Sequence, residues 1–265
     1  MWTRIATEDL GTVLGVWAHP DDEAYLSAGI MGALRDAGHH VVVATATYGE
    51  NGATSDPDRW PPGELAVIRR DELRASLAPI GVQEHRWFGF ADGACADVPA
   101  RDGEASVAKL ISDVEPDTIL TFGPEGMTGH PDHRAVSGWT SAAWQASGAR
   151  SRLLYATLTP RFHAEWGVVN DRVGLWMSGR GPVTPHQELA VHVALTGAAL
   201  DRKVAAVRAH VSQTANLVDE LGEEDFRRWW STEAFVAAGP ALSETEAGAS
   251  LATAASGGPD DAAGR

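Results

Sequence analysis

The feature that most constrains the fold is an alternation of two apolar patterns along the first 160 residues. Continuous apolar or β-branched runs, typical of strands buried on both faces, occupy residues 12–18, 40–49, 84–90, 118–123 and 152–159. Segments with apolar residues at helical spacing lie between them, at residues 23–38, 61–81, 104–114 and 131–147. This alternation predicts an α/β fold with a Rossmann-like, doubly wound and mostly parallel sheet.

The pattern weakens after residue 160. Residues 173–177 and 186–195 have a strand-like composition, whereas residues 197–210 have clear helical spacing. These C-terminal segments do not extend the regular alternation, so the sequence does not say how they join the predicted sheet.

The domain organisation follows from the same pass along the chain. We predict a single domain over residues 1–239, with a core at 12–160 and C-terminal elements at 161–239 that complete the active site. Residues 240–265 lack aromatic residues and are rich in Ala, Gly and Ser, so we expect a disordered tail there.

Charge and cysteine content narrow the classes of partner. The chain has 265 residues and a formal net charge of −15, with no run of Lys and Arg, so we expect no nucleic-acid partner. Cys95 is the only cysteine, which excludes an internal disulfide and fits a reducing cytoplasm. We also expect no signal peptide and no membrane span, because no suitable apolar stretch is present. The sequence thus predicts a cytoplasmic protein and leaves a homo-oligomer open.

The first predicted strand ends in the sequence HPDDE, at residues 19–23, which places one imidazole beside three carboxylates. Acidic residues at the start of a helix can serve simply as an N-cap and as partners of the helix dipole. On its own the cluster therefore fits either a solvated helix start or a site that binds a cation.

A second cluster, HPDH at residues 130–133, follows the fourth predicted strand. In open α/β sheets, ligands bind at the carboxyl ends of the strands, where the strand order reverses. If the order is 3-2-1-4-5, strands 1 and 4 are neighbours at that point. The two clusters would then face each other across a crevice.

Two histidines and a carboxylate with an open coordination position are typical of a catalytic zinc site. His19 and Asp22 are three residues apart across a tight turn, so both can reach one ion, and His133 would supply the third ligand. Asp21 would be free to take a proton from a water that zinc activates, since zinc lowers the pKa of such a water to about 7. Glu23 is left as a structural residue. Iron(II) is an alternative, because nitrogen and oxygen ligands suit both metals.

The two motifs in this order resemble those of the PIG-L/LmbE-like family of zinc-dependent N-acetylglucosaminyl deacetylases, which includes deacetylases of the mycothiol pathway. The similarity extends over most of the chain, from about Val13 to His210. It includes weaker motifs at residues 47–52, 69–72, 90–97 and 203–213. Close mycothiol-pathway relatives often carry Tyr two residues before HPDH, whereas this chain has Thr128 there.

The resemblance implies hydrolysis of the N-acetyl group of a small N-acetylated amino sugar or glycoconjugate. It implies that His19, Asp22 and His133 bind zinc. It also implies that Asp21 is the general base, in agreement with the argument from the residues. It further implies that protonated His130 stabilises the oxyanion or protonates the leaving amine, with Asp132 as its orienting partner. Arg69 and Asp92 are implied to bind the substrate.

Two alternatives stay open at this stage. An amidase that removes a larger acyl group from a metabolite would need a deeper acyl pocket than a deacetylase. A non-catalytic member of the fold would bind a metal ion, a nucleotide or a sugar without chemistry. No GxGxxG motif follows the first predicted strand, which counts against a dinucleotide.

Overall fold

The computed structural model describes residues 5–54 and 56–239, so the tail predicted at 240–265 lies outside the described residues. The strands are β1 (Val13–Trp17), β2 (Val41–Thr47), β3 (Glu84–Phe90), β4 (Thr118–Phe122), β5 (Arg152–Ala156), β6 (Val191–Ala194) and β7 (Thr232–Ala237). They form one sheet in the order β3-β2-β1-β4-β5-β7-β6. The first five strands pair in parallel, which confirms the predicted order 3-2-1-4-5. β7 pairs antiparallel with both β5 and β6.

Eight α-helices in the described part of the chain lie around this sheet, and five of them form two groups. They are α1 (Asp22–Asp36), α2 (Leu65–Leu77), α3 (Ala100–Val114), α4 (Pro131–Ala146), α5 (Pro160–Arg172), α6 (Gly197–Ala209), α7 (Val211–Leu221) and α8 (Glu223–Trp229). α1 and α2 pack with α6, whereas α3 packs with α4. Right-handed crossovers place the two groups on opposite faces, because the chain reverses its direction along the sheet after β3. No helix among the described residues is long and apolar enough to cross a membrane.

The central strands are buried as their composition predicts. Every residue of β1, β2 and β4 is buried. Apolar runs without alternation are what a parallel strand needs when helices cover both of its faces. The core therefore lies directly beneath the loops that follow β1 and β4.

The C-terminal strands differ from the sequence-based expectation in two places. Residues 173–177 form a turn and an irregular segment after α5, where Gly174 has a φ of +65°, so the strand expected there is wrong. β7 was not predicted at all. Its apolar pattern is interrupted by Glu233, which is 3% exposed. A buried acidic residue obscures the apolar alternation that would identify a strand.

Glu233 is buried because it joins three elements. Its carboxylate accepts hydrogen bonds from the backbone N–H groups of Gly29 (2.7 Å) and Ile30 (2.8 Å) in α1. Lys203 of α6 donates to Glu233 Oε1 (2.7 Å) and to the carbonyl oxygen of Tyr25 (2.8 Å). Both charged side chains are completely buried. The pair therefore ties β7 and α6 to the helix that begins at the HPDDE motif.

We expect Lys203→Met to lower the free energy of unfolding by about 3–5 kcal/mol, because it leaves the buried Glu233 carboxylate without its counter-charge. Urea denaturation followed by circular dichroism measures the loss. Arg202→Met is the matched control, since Arg202 pairs with Asp36 (2.8 Å) at a solvent-exposed position. Such pairs contribute at most about 1 kcal/mol. Equal losses in the two variants would show that burial of the Lys203 pair has no special role.

Candidate metal and active site

The two His/Asp clusters meet at the carboxyl edge of the sheet. HPDDE follows β1 and enters α1, and HPDH follows β4 and enters α4. β1 and β4 are hydrogen-bonded neighbours. As a result, His19 Nδ1 lies 3.1 Å from His133 Nε2, although 114 residues separate the two histidines. The clusters lie where the strand order reverses, which is where this fold places ligands.

Three of the predicted donor groups converge on one point. His19 Nδ1 lies 3.7 Å from Asp22 Oδ2, and His133 Nε2 lies 3.4 Å from Asp22 Oδ1. Tetrahedral zinc with bonds of about 2.0–2.2 Å holds its ligand atoms about 3.3–3.6 Å apart. The two histidine nitrogens lie 3.1 Å apart, and the Asp22 carboxylate approaches each of them with a different oxygen, at 3.4 and 3.7 Å, so the separations bracket that range. The residues present therefore fit a zinc-sized cation.

The carboxylates around His19 favour a positive charge at that ring, which either a proton or a metal ion on Nδ1 can supply. Burial alone would lower the pKa of His19, but hydrogen bonds to Asp132 and Asp92 and the charge of Asp22 raise that pKa to about 10. Burial and the charge of His19 hold the pKa of His133 well below its usual value. His133 is thus a neutral imidazole, the form that coordinates a metal.

The second nitrogen of His19 is held by two further carboxylates. His19 Nε2 lies 3.0 Å from Asp92 Oδ1 and 3.2 Å from Asp132 Oδ2. These contacts fix the ring so that Nδ1 points toward His133 and Asp22. A carboxylate behind a histidine is the usual outer arrangement of a metal site, where it sets the tautomer and raises ligand basicity.

Asp132, the expected orienting partner of His130, lies against His19. Its carboxylate does not contact the ring of His130; it contacts His19 and accepts backbone hydrogen bonds from Gly93 (2.8 Å) and Cys95 (3.0 Å). The Asp132 backbone N–H donates instead to His130 Nδ1 (3.1 Å), which makes His130 the N-cap of α4. Because Nδ1 accepts, the neutral ring carries its proton on Nε2. Burial and the charge of His19 lower the pKa of His130.

Asp92, which is predicted to bind the substrate, is hydrogen-bonded to neighbouring loops of the protein. Besides the contact with His19, its Oδ2 accepts from the backbone N–H of Asn51 (2.8 Å), and its own backbone N–H donates to Glu50 (2.9 Å). The loops after β2 and β3 are therefore joined through Asp92. Its predicted contact with a sugar hydroxyl stays a prediction.

Asp21 occupies a backbone conformation that non-glycine residues rarely adopt, with a φ of +124°. Such a conformation costs about 1–3 kcal/mol and persists only where the surroundings enforce it. Arg69 donates to Asp21 Oδ2 (3.0 Å) and to the carbonyl oxygens of Pro20 and Gly49. Burial raises the pKa of Asp21 to about 6, against the opposing charge of Arg69.

Two further residues help to hold Asp21 in place: Glu23, which the sequence predicts to be structural, and His210, to which the sequence assigns no role. Glu23 accepts from the backbone N–H of Asp21 (3.0 Å) through Oε2, and its Oε1 lies 3.0 Å from His210 Nε2. Glu23 and His210 are completely buried. The run of three acidic residues in HPDDE indicated a surplus carboxylate, but only the fold shows that it holds the backbone of Asp21.

Arg69 is 3% exposed, and its guanidinium is held by the three contacts named above. We therefore expect Arg69→Lys to lower kcat roughly 10²-fold with KM nearly unchanged, because Lys cannot reproduce the three-way contact that positions Asp21. Steady-state kinetics of the variant measure both constants. Arg70→Lys is the control, since Arg70 lies next in the helix and is exposed. A rise in KM with kcat unchanged would instead assign Arg69 to substrate binding, as the family resemblance implies.

A cavity of about 440 Å³ opens on the donor cluster, with Asp22, His133 and Thr128 in its wall. Most of the other wall residues lie in α1, in α5 and the segment that follows it, and in α7. Trp229 and Trp230 complete the wall. A larger cavity, of about 740 Å³, lies beside Asp117 and Arg152 at the amino ends of β4 and β5. That edge of the sheet is opposite the cluster, so the smaller cavity is the candidate substrate pocket.

Comparisons with known proteins show what the chain is similar to. The PIG-L family, described as GlcNAc-PI de-N-acetylase, matches residues 14–144. A protein of Mycolicibacterium vanbaalenii named 1D-myo-inositol 2-acetamido-2-deoxy-alpha-D-glucopyranoside deacetylase is 32% identical over 232 residues, which cover 77% of this chain and 81% of that protein.

Two solved structures have a similar fold. N,N'-diacetylchitobiose deacetylase from Pyrococcus horikoshii superposes with a TM-score of 0.63 at 23% identity, over 87% of this chain and 85% of that one. The A40926 pseudoaglycone deacetylase superposes with a TM-score of 0.66 at 20% identity, over 89% of this chain and all (100%) of that one. Similarity at this level of identity supports the fold alone.

Proposed function

The chain belongs to the PIG-L family, and we propose that it is a zinc-dependent hydrolase that removes the acetyl group from an N-acetylated amino sugar. The observation that carries the proposal is the convergence of His19, Asp22 and His133, whose donor atoms lie 3.1–3.7 Å apart. The name of the Mycolicibacterium relative supports an N-acetylglucosaminyl substrate. Zinc supplies a Lewis acid for the amide carbonyl and lowers the pKa of a bound water to about 7.

The proposed ligand set competes with two other groupings of donor atoms. His19 also lies near His130 together with His133, and near Asp92 together with Asp132. Backbone hydrogen bonds already occupy His130 Nδ1 and both oxygens of Asp132. Asp132 is therefore better suited to orient His19 than to bind the ion, and the free nitrogen of His130, Nε2, is assigned to the reacting atoms. We assign Asp92 and Asp132 as outer partners of His19.

Two side chains next to the ligands are assigned to the proton transfers and to the developing charge. Asp21 takes a proton onto its carboxylate from the attacking water and passes it to the leaving amine, and Arg69 and Glu23 hold it in place for both steps. His130, a neutral ring whose Nδ1 accepts from the backbone, donates a hydrogen bond from Nε2 to the oxygen that develops negative charge. An amide needs both transfers, because its carbonyl is a weak electrophile and its amine is a poor leaving group.

Acetate release tests the proposal. Purified protein with one equivalent of zinc is incubated with N-acetylglucosamine, its methyl glycoside and an N-acetylglucosaminyl inositol, and acetate and free amine are quantified. We expect equal amounts of both products from at least one of these sugars. Stoichiometric zinc without any amide hydrolysis would overturn the proposed function in favour of a non-catalytic binding protein.

A further inference from the structure

The cavity beside the donor cluster is far more apolar than a site for an unsubstituted sugar needs to be. We propose that the substrate carries an apolar substituent, aromatic or hydrocarbon, and that this cavity binds it; the inference rests on the proposed function. The cavity wall includes Leu26, Phe162, Leu175, Trp176, Leu217 and Trp230.

The cavity adjoins the reaction centre directly. Asp22 and His133, two of the proposed ligands, form part of its wall. A substrate with its amide carbonyl at the ion must project a neighbouring group into this space. That group is either the acyl chain or a substituent on the sugar, because both lie within a few bonds of the amide.

The charges in the wall limit what the group can be. Apart from Asp22 and His133, the described residues of the wall include no acidic residue, no histidine, no Lys and no Arg. A phosphate or another anionic group would find no cationic partner there, and the desolvation cost of a buried charge without a partner is large. The substituent is therefore neutral.

One polar residue of the wall already has its partners inside the protein. Ser212 donates through both its backbone N–H and its hydroxyl to Glu72 (2.7 Å each), and the same hydroxyl accepts from Gln213 (3.1 Å). Ligand hydroxyls that lie against the Trp, Phe and Leu side chains of the wall have no partner there, which costs binding energy. An apolar group matches that part of the wall better than a second sugar ring does.

The volume also exceeds the requirement of an acetyl group. Pockets of about 300–1,000 Å³ hold drug-sized ligands, and this cavity measures about 440 Å³. Because this cavity is the candidate substrate pocket, the acetyl group and the sugar ring share it, and together they are smaller than a drug-sized ligand. A ring or a chain of several carbons would fill the space and remove apolar surface from water on both partners.

Two substrate series test the proposal and separate the sources of the apolar group. The first contains N-acetylglucosamine glycosides with methyl, butyl, hexyl and phenyl aglycones. The second contains methyl glucosaminides with acetyl, butyryl and hexanoyl groups on nitrogen. We expect kcat/KM to rise about 4-fold per buried methylene in one series, which corresponds to the transfer free energy of that group. The series that rises identifies the substituent as an aglycone or as an acyl chain.

A variant of the wall gives a second readout. In Leu217→Gln, the ratio of kcat/KM for the longest to the shortest member of the rising series should fall at least about 4-fold, because a polar amide replaces a methylene-sized apolar contact. Both values in the ratio come from the same preparation, so the ratio does not depend on the fraction of the protein that is folded. Val168→Gln is the control, since Val168 is 84% exposed and outside the cavity wall.

The outcomes separate this inference from the proposed function. Amide hydrolysis with no gain in either series, or with an equal ratio in Leu217→Gln and the parent, would overturn the apolar substituent and leave the deacetylase standing. No hydrolysis in either series would overturn the proposed function itself.

Discussion

Asp21→Asn is expected to lower kcat about 10²–10⁴-fold, the usual contribution of general acid–base catalysis, while the protein keeps its metal ion. The amide of Asn cannot hold the proton that the carboxylate accepts. It can still accept a hydrogen bond from Arg69 through its oxygen, as Asp21 Oδ2 does at 3.0 Å. Asn has the same size and shape as Asp, so the substitution adds no bulk at a backbone whose φ is +124°.

Kinetics and metal analysis of the same preparation check this result. Asp71→Asn is the matched control, because Asp71 is an exposed carboxylate that pairs with Arg74 on the outer side of α2. If Asp21→Asn kept the parental kcat, Asp21 would not be the base. If the variant lost its metal along with its activity, Asp21 would be a ligand rather than a proton acceptor.

His133→Ala is expected to abolish stoichiometric metal binding and activity together. The substitution removes one of three protein ligands, whereas the loss of an outer partner typically costs about 10–100-fold in affinity or activity. The effect should therefore exceed that of Asp92→Asn or Asp132→Asn. The ring of His133 also stacks on Phe122, with centroids 4.1 Å apart, so a melting curve must accompany the metal analysis.

His40→Ala serves as the control for His133→Ala. His40 pairs with Glu84 near the amino end of β2, on the sheet edge away from the cluster. It should leave metal content and kcat unchanged. A folded His133→Ala protein that still bound about one zinc per chain with parental affinity would mean that another donor group completes the site.

The sequence was sufficient to predict the five parallel strands and, with the order 3-2-1-4-5 assumed, the meeting of the two clusters. Continuous apolar runs identify parallel strands buried on both faces, and the strand order places the ends of β1 and β4 side by side. His19 and His133 follow from that placement alone. Their 3.1 Å approach required no knowledge of any side-chain contact.

The supporting contacts could not be predicted in the same way. Asp132 contacts His19 across 113 residues of sequence, and the direction of its carboxylate depends on the loop after β3 that supplies the Gly93 and Cys95 amides. The φ of Asp21 depends on Glu23 and Arg69 acting from two different helices. Such geometry follows from packing between distant segments, for which local patterns carry no information.

Several sequence-based expectations stay predictions. The cytoplasmic location, the single domain over residues 1–239 and the tail at 240–265 rest on composition and pattern alone. The same holds for a homo-oligomer and for the expected lack of a nucleic-acid partner. The choice of zinc over iron(II) also stays a prediction, because nitrogen and oxygen ligands suit both metals.

The most direct test of the account is a metal titration of acetate release. Protein stripped with a chelator is titrated with zinc, and the initial rate of acetate release from methyl N-acetylglucosaminide or another active substrate is recorded at each addition. We predict no activity in the stripped protein and a linear rise that ends near one zinc per chain, the stoichiometry of a single site with three protein ligands. Full activity in stripped protein, verified to be free of metal, would contradict the account.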